Sequence, residues 1–188
     1  MNLRRWVNMR VAWAKFKAGQ HVPFEHQQAT NFIDRTAVIG RNTSVWHWAV
    51  ILADVVIGHH CSIGSFVEIG RGSVIGDWTR ISNGVFLPSN SIIGKCVFLG
   101  PGVTCTDDRH PRANNAAYDA EPPIIEDGAS VGARAVILPG IRVGRGAMVG
   151  AGAIVTHDVE PGSMVRGEPA RKRDWSRGVG CMAGESIG

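Results

Sequence analysis

Five ionisable side chains crowd one short polar stretch: Asp107, Asp108, Arg109, His110 and Arg112, inside TDDRHPRANNAAYDAEPP at residues 106–123. A histidine titrates near neutral pH and can take a proton from an attacking amine or hydroxyl, so His110, just before Pro111, is the candidate general base. Asp107, Asp108, Arg109 and Arg112 are candidates for gripping polar groups of a substrate, and their types alone do not divide that work. Asn83, in Ile81-Ser82-Asn83-Gly84, cannot serve as a base near neutral pH, but its amide can orient an amine or a carbonyl. Plainer readings stand beside these. His110 fits a solvated loop imidazole, Asn83-Gly84 fits a turn, and the whole stretch fits a tolerated surface insertion.

Positive charge gathers at the two ends. Arg4, Arg5, Arg10, Lys15 and Lys17 meet no acid in residues 1–20, while residues 166–177 hold five bases against two acids. A basic end suits a polyanionic partner. The body lacks a basic stripe interleaved with aromatics, so nucleic acid is not the expected one. Residues 1–32 form a basic lead-in with a helix-like stretch, Trp6, Met9, Val11, Trp13 and Phe16 lying among the bases. No apolar run is long enough for a membrane span or a signal-peptide core, and a cytoplasmic protein is expected.

What must position these groups is a six-residue period. Large aliphatics recur at Ile33, Ile39, Val45, Ile51, Ile57, Ile63, Ile69, Ile75, Ile81, Leu87, Ile93 and Leu99, with Cys105 next. The period fails across the polar stretch and resumes at Ile125, Val131, Ile137, Val143, Val149 and Val155. Gly often follows the aliphatic, and a small residue such as Ala49, Cys61 or Ser73 sits four places after it. Neither a helix nor strand alternation repeats every six residues, but a parallel β-helix with three flat faces does, at about 18 residues per coil. The aliphatics point inward and stack, and the non-repeating stretch, with its two closing prolines, is extruded as a loop over about 106–123. Cys61 falls on a small-residue position of the repeat and Cys105 on an inward one, and both read as buried free thiols, in keeping with a reducing compartment.

The array resembles the hexapeptide-repeat family, which implies an all-β, left-handed parallel β-helix solenoid over residues 33–172. Members are typically homotrimers with active sites between subunits. Residues 137–155, ILPGIRVGRGAMVGAGAIV, and 165–171, VRGEPAR, resemble the closing coils of the acyltransferases that use acyl-coenzyme A. That likeness implies acetyl-CoA as co-substrate, its pantetheine arm against Gly132, Ala133, Gly150 and Ala151. Its phosphates would meet Arg166, Arg171 and Lys172. Small residues suit close approach of such an arm, although Gly and Ala also suit tight corners.

A closer resemblance covers residues 44–113. SVWHWAVI, SIGSFVEIG, ISNGVFLP and LGPGVTCTDDRHPRA look like the N-acetyltransferases that act on a 3-amino group of nucleotide-linked sugars for surface polysaccharides. That subfamily uses the Asn83 position in its site but often lacks a histidine before Pro-Arg. His110 is therefore a departure, one shared with sugar O-acetyltransferases. O-acetylation of a sugar or antibiotic stays open, as does a non-catalytic trimeric scaffold. SVWHWAVILAD also resembles the start of γ-class carbonic anhydrases, but ISNGVFLP has no histidine and Gly64 stands where a last zinc ligand would be, so no metal is expected. Residues 173–188 form a Gly-rich tail outside the family pattern.

Overall fold

The computed structural model describes residues 30–113 and 118–173. The helix-like N-terminal stretch and most of the Gly-rich tail lie outside the described residues. The described chain is a left-handed parallel β-helix of about seven turns, with no helix. Its strands run from Phe32 to Arg173.

Three parallel sheets form the faces of the prism, of seven, six and eight strands. The first face stacks Phe32–Ile33, Val50–Ile51, Glu68–Ile69, Phe86–Leu87, Thr104–Cys105, Val136–Ile137 and Ile154–Val155. The second runs from Val38–Ile39 to Arg142–Val143, the third from Ser44–Val45 to Met148–Val149. The third face then continues into Met164–Arg166, which folds back antiparallel on Arg171–Arg173. Register is strict: Ile51 pairs Ile69 and Leu87 pairs Ile69, each residue meeting its equivalent one coil away.

The inward side chains explain the period. Ile51, Ile57, Ile63, Ile69, Ile75, Leu87 and Leu99 are fully buried, and each contributes roughly 1.5–3 kcal/mol by leaving water. Cys61 and Cys105 are buried and neither is in a disulfide. Burial pushes the Cys105 thiol up to about 12, which makes it a packing residue rather than a nucleophile. The small inward positions that are polar find partners within the stack. Thr43 Oγ1 donates to the Gly58 carbonyl at 2.8 Å, Thr79 Oγ1 to that of Gly94 at 2.8 Å, and Cys61 Sγ stands between them on the Gly76 carbonyl at 3.2 Å. The thiol takes the hydroxyl's place in one ladder.

The largest break in this regularity among the described residues is the predicted loop; a smaller one shortens the last coil, where Val143 meets Val159 and Val149 meets Val165. Corner residues normally bond across 18 positions, as His59 N does to Asp77 Oδ1. Across the loop the same bond, Lys95 N to Asp127 Oδ1, spans 32. The insertion therefore adds 14 residues to one corner, between the first and second faces, without disturbing the coils on either side.

Candidate active site

The candidate residues fall on two different edges of the prism. Asn83, Ala133 and Ala151 stack on the corner between the third and first faces, where Gly102 N bonds the Asn83 carbonyl and Gly152 N bonds that of Ala133, both near 2.9 Å. Gly132 and Gly150 lead into that corner. Arg166 lies at the next level: a Cβ on Gly150 would come within 2.8 Å of the Arg166 Cβ. Arg171 pairs with Arg166 across the closing hairpin. Both guanidinium groups are exposed and meet no carboxylate among the described residues.

Gly132 is required by the stack itself. A Cβ there would sit 2.4 Å from the Ala151 amide nitrogen, so no other residue fits whatever lies outside. The edge that results is bare backbone flanked by small side chains and cations. Sequence reasoning missed one member, Arg134. It occupies the second position of this corner with a φ of 57°, in a column that otherwise holds Gly84, Gly102 and Gly152 after Trp48 and Phe66. Arg134 is exposed and has no side-chain partner among the described residues, and its signal in the sequence was being the one cation in that column.

Asn83 has a structural duty. Its Oδ1 accepts the Ser65 amide at 3.0 Å, one coil back, as Asp77 does for His59 and Asp127 for Lys95. The amide nitrogen is left over, on an exposed side chain, to donate outward. Lys172 also differs from its expected role: its ammonium pairs with Glu160, holding that carboxyl below its ordinary range and clamping the hairpin to the last coil. Of the three bases assigned to phosphates, only Arg166 and Arg171 remain unengaged.

The loop carries the second half. Its neck is closed by the Glu121 amide on the Asp107 carbonyl at 2.8 Å. Arg109 makes a bidentate pair with Glu121, Nε to Oε1 at 2.9 Å and Nη2 to Oε2 at 2.7 Å, and Nη2 also reaches the Pro139 carbonyl at 3.2 Å. This pairing raises the Arg109 pKa and lowers that of Glu121, the hydrogen bond being the larger cause in each. Tyr118 donates to Asp107 Oδ2 at 2.7 Å, which lifts its phenol to about 12. Asp108 Oδ1 accepts the His110 amide at 2.8 Å, fixing the backbone just before the imidazole, which is itself exposed. Asp107 and Arg109 are thus occupied inside the loop, whereas Arg112 is exposed and has no partner among the described residues. Glu121 and Tyr118, not singled out in the sequence, complete the neck.

His110 and Asn83 lie off different corners of the prism. The first face separates their corners by the run from Gly102 to Thr106, on the order of 15 Å of extended chain. No group of three or more His, Cys, Asp or Glu side chains that could hold a metal occurs among the described residues. His59 accepts the Arg41 amide on Nδ1 at 2.8 Å. No helix among the described residues is long and apolar enough to cross a membrane.

The profile described as bacterial transferase hexapeptide (six repeats) matches residues 36–71, and that of the hexapeptide repeat of succinyl-transferase matches 54–89 and 122–157. Both fall on the coils, one copy on each side of the loop. The chain belongs to the hexapeptide-repeat family. Within that family it is 49% identical over 78 residues to the 2,3,4,5-tetrahydropyridine-2,6-dicarboxylate N-acetyltransferase of Staphylococcus aureus. The match covers 42% of this chain and 30% of that protein, so the chain spans under a third of the length of this curated relative. A crystal structure of a hexapeptide-repeat-containing acetyltransferase from Vibrio cholerae is 26% identical with a TM-score of 0.52, over 73% of this chain and 72% of that one. A structure of that acetyltransferase complexed with acetyl-coenzyme A has a TM-score of 0.53 at 23% identity, over 87% and 84% of the two chains.

Proposed function

We propose that this hexapeptide-repeat protein is an acetyl-CoA-dependent N-acetyltransferase acting on an amino group, a 3-amino group, of a nucleotide-linked sugar. The observation that carries the acetyl-CoA part is the third-to-first corner, where small residues expose backbone and Arg134, Arg166 and Arg171 stand without partners. Backbone amides and carbonyls can hydrogen-bond the amides of a pantetheine arm, and guanidiniums match phosphate oxygens in fork geometry. The acetyl-coenzyme A complex of the Vibrio cholerae protein, which has the same fold, supports that reading. The amine acceptor is supported by the N-acetyltransferase relative; the nucleotide sugar rests on the motifs of residues 44–113.

The reaction needs a neutral amine, a held thioester carbonyl and a proton acceptor. The amine lone pair attacks the carbonyl carbon while His110 takes an amine proton; the C–S bond then breaks and the coenzyme thiolate leaves, collecting that proton as the thiol. The Asn83 amide nitrogen donates to an oxygen of the acceptor or of the thioester. Because His110 and Asn83 lie on opposite edges of the first face, the site is shared: the loop of one copy meets the coenzyme edge of its neighbour in a homotrimer. Trp48 and Phe66 stack on that same edge with ring centroids 5.1 Å apart, and Phe66 is 64% exposed, an apolar patch that suits cover by a neighbouring copy. We place the trimer in the cytoplasm, where acetyl-CoA and nucleotide sugars are available.

The test is thiol release from acetyl-CoA with UDP- and dTDP-3-amino sugars, matched hydroxy sugars and tetrahydropyridine dicarboxylate. Release with amino sugars alone is the expected outcome. Release with hydroxy sugars alone moves the protein to O-acetylation, and release only with the dicarboxylate gives it the relative's acceptor. No release and no acetyl-CoA binding leave a structural trimer.

A further inference from the structure

We propose that Glu121 is the positioning residue of the His110 loop, a role that rests on the acetyl-transfer reading above. Three bonds converge on this one residue. Its amide closes the neck on Asp107, its carbonyl accepts the Gly140 amide at 2.7 Å, and its carboxylate holds Arg109, the neighbour of His110. Arg109 extends the chain of contacts to the Pro139 carbonyl. The loop base is therefore tied to the Pro139–Gly140 corner of the next coil by one backbone bond, and the residue beside His110 is tied to it by one side-chain pair.

The corner is shaped for this carboxylate. Gly140 has a φ of 73°, and a Cβ there would fall 2.6 Å from Glu121 Oε2 and 3.2 Å from Arg109 Nη2. The conformation disfavours a side chain, and one placed there would push the Glu121 carboxylate aside, so the glycine leaves room for the pair. Glu121 also lies within the electrostatic reach of His110. The other bonds of the described loop to the coils lie at its two ends, where Thr106 donates to the Ile137 carbonyl and the Glu121 and Pro123 carbonyls accept the Gly140 and Ile92 amides; Tyr118 bonds Asp107 and Asp108 bonds His110, both within the loop. Glutamine keeps the shape of Glu121 but loses the charge and one acceptor of the fork. The loop then swings, and His110 leaves the acceptor. Displacement of a catalytic group by about 1 Å is enough to cost ~10²-fold in rate.

The experiment uses the full chain carrying Glu121→Gln, Arg109→Gln, or the charge exchange Arg109→Glu with Glu121→Arg. Two quantities are read: tryptic cleavage after Arg112, and thiol release from acetyl-CoA with the 3-amino sugar panel, resolved into kcat and KM. Glu121→Gln and Arg109→Gln each speed cleavage at least about tenfold and lower kcat about ten- to a hundredfold. KM for acetyl-CoA and the melting temperature stay within error, because the coenzyme edge and the coils are untouched. The exchanged pair recovers a large part of both losses, which a merely structural defect would not do. Unchanged cleavage overturns the tie itself. Faster cleavage with unchanged kcat overturns the positioning role. A wild-type protein that releases no thiol with any acceptor removes the acetyl-transfer reading and the positioning role with it, and the cleavage data distinguish that outcome from failure of the tie.

Discussion

Along the third-to-first corner, Asn83, Ala133 and Ala151 are placed by the same backbone bonds that stack every coil. At the next corner, His110 is placed by Arg109, Glu121, Asp107 and Tyr118, four side chains that owe nothing to the repeat. The first region is rigid because roughly a dozen large, fully buried Ile, Leu and Val side chains would have to move with it. The second is rigid only while exposed polar pairs persist, and such pairs are individually weak and screened by salt. The comparison teaches that the prism can offer a fixed binding edge and, one face away, an adjustable reactive group. It also locates sensitivity: coenzyme binding should follow the coils, and turnover should follow the loop.

The largest effect comes from damaging what both regions stand on. Ile69→Ala, at a fully buried position, costs about 2–5 kcal/mol, read by urea or thermal unfolding. Next is the loop: replacing residues 108–120 with two glycines leaves the unfolding transition and acetyl-CoA affinity near wild type, while turnover falls by at least about a hundredfold. His110→Ala alone lowers turnover at least about tenfold with little change in coenzyme binding. A loss of coenzyme binding on loop excision would erase the division between the regions.

A smaller effect belongs to the edge. Arg166→Ala with Arg171→Ala weakens acetyl-CoA binding about tenfold, and the loss shrinks as salt rises, because exposed charges meet phosphates through solvent. Titration calorimetry at two ionic strengths reads it. The smallest effect sharpens the loop. Tyr118 is the only tyrosine in the chain, so its ionisation can be followed by ultraviolet absorbance. Its hydrogen bond to Asp107 raises the phenol to about 12, so that bond contributes at all lower pH and is lost as pH rises through this value. Asp107→Asn should return the midpoint toward about 10. A wild-type midpoint at or below 10 would break the described neck.

The regular part of this molecule was legible because it repeats. An inward aliphatic every six residues has one geometric solution, and the failure of the period between Cys105 and Ile125 marked the loop to within a residue or two. Glu121 and Tyr118 were not legible. Polar pairs inside an irregular loop have no period, and an Arg109–Glu121 bond is one of many pairings the same letters allow. Arg134 was passed over for a related reason: its importance lies in standing out from a column, which shows only when residues 18 apart are set side by side. Lys172 was assigned by motif, but the hairpin turns it toward Glu160 instead. Asn83 was read both as a turn residue and as a substrate ligand; its oxygen serves the turn and its nitrogen is left for the second role.

The central claim is that the two regions serve one site only across a subunit boundary, and subunit mixing tests it most directly. His110→Ala removes the proposed base, and Ala151→Trp obstructs the proposed coenzyme edge; either variant alone is expected to be nearly inactive. Co-assembled in equal amounts, they should regain about a quarter of wild-type thiol release, since a quarter of neighbouring pairs then join an intact loop to an intact edge. Mixed assemblies as inactive as either parent would contradict the account and return His110 and the coenzyme edge to the same chain.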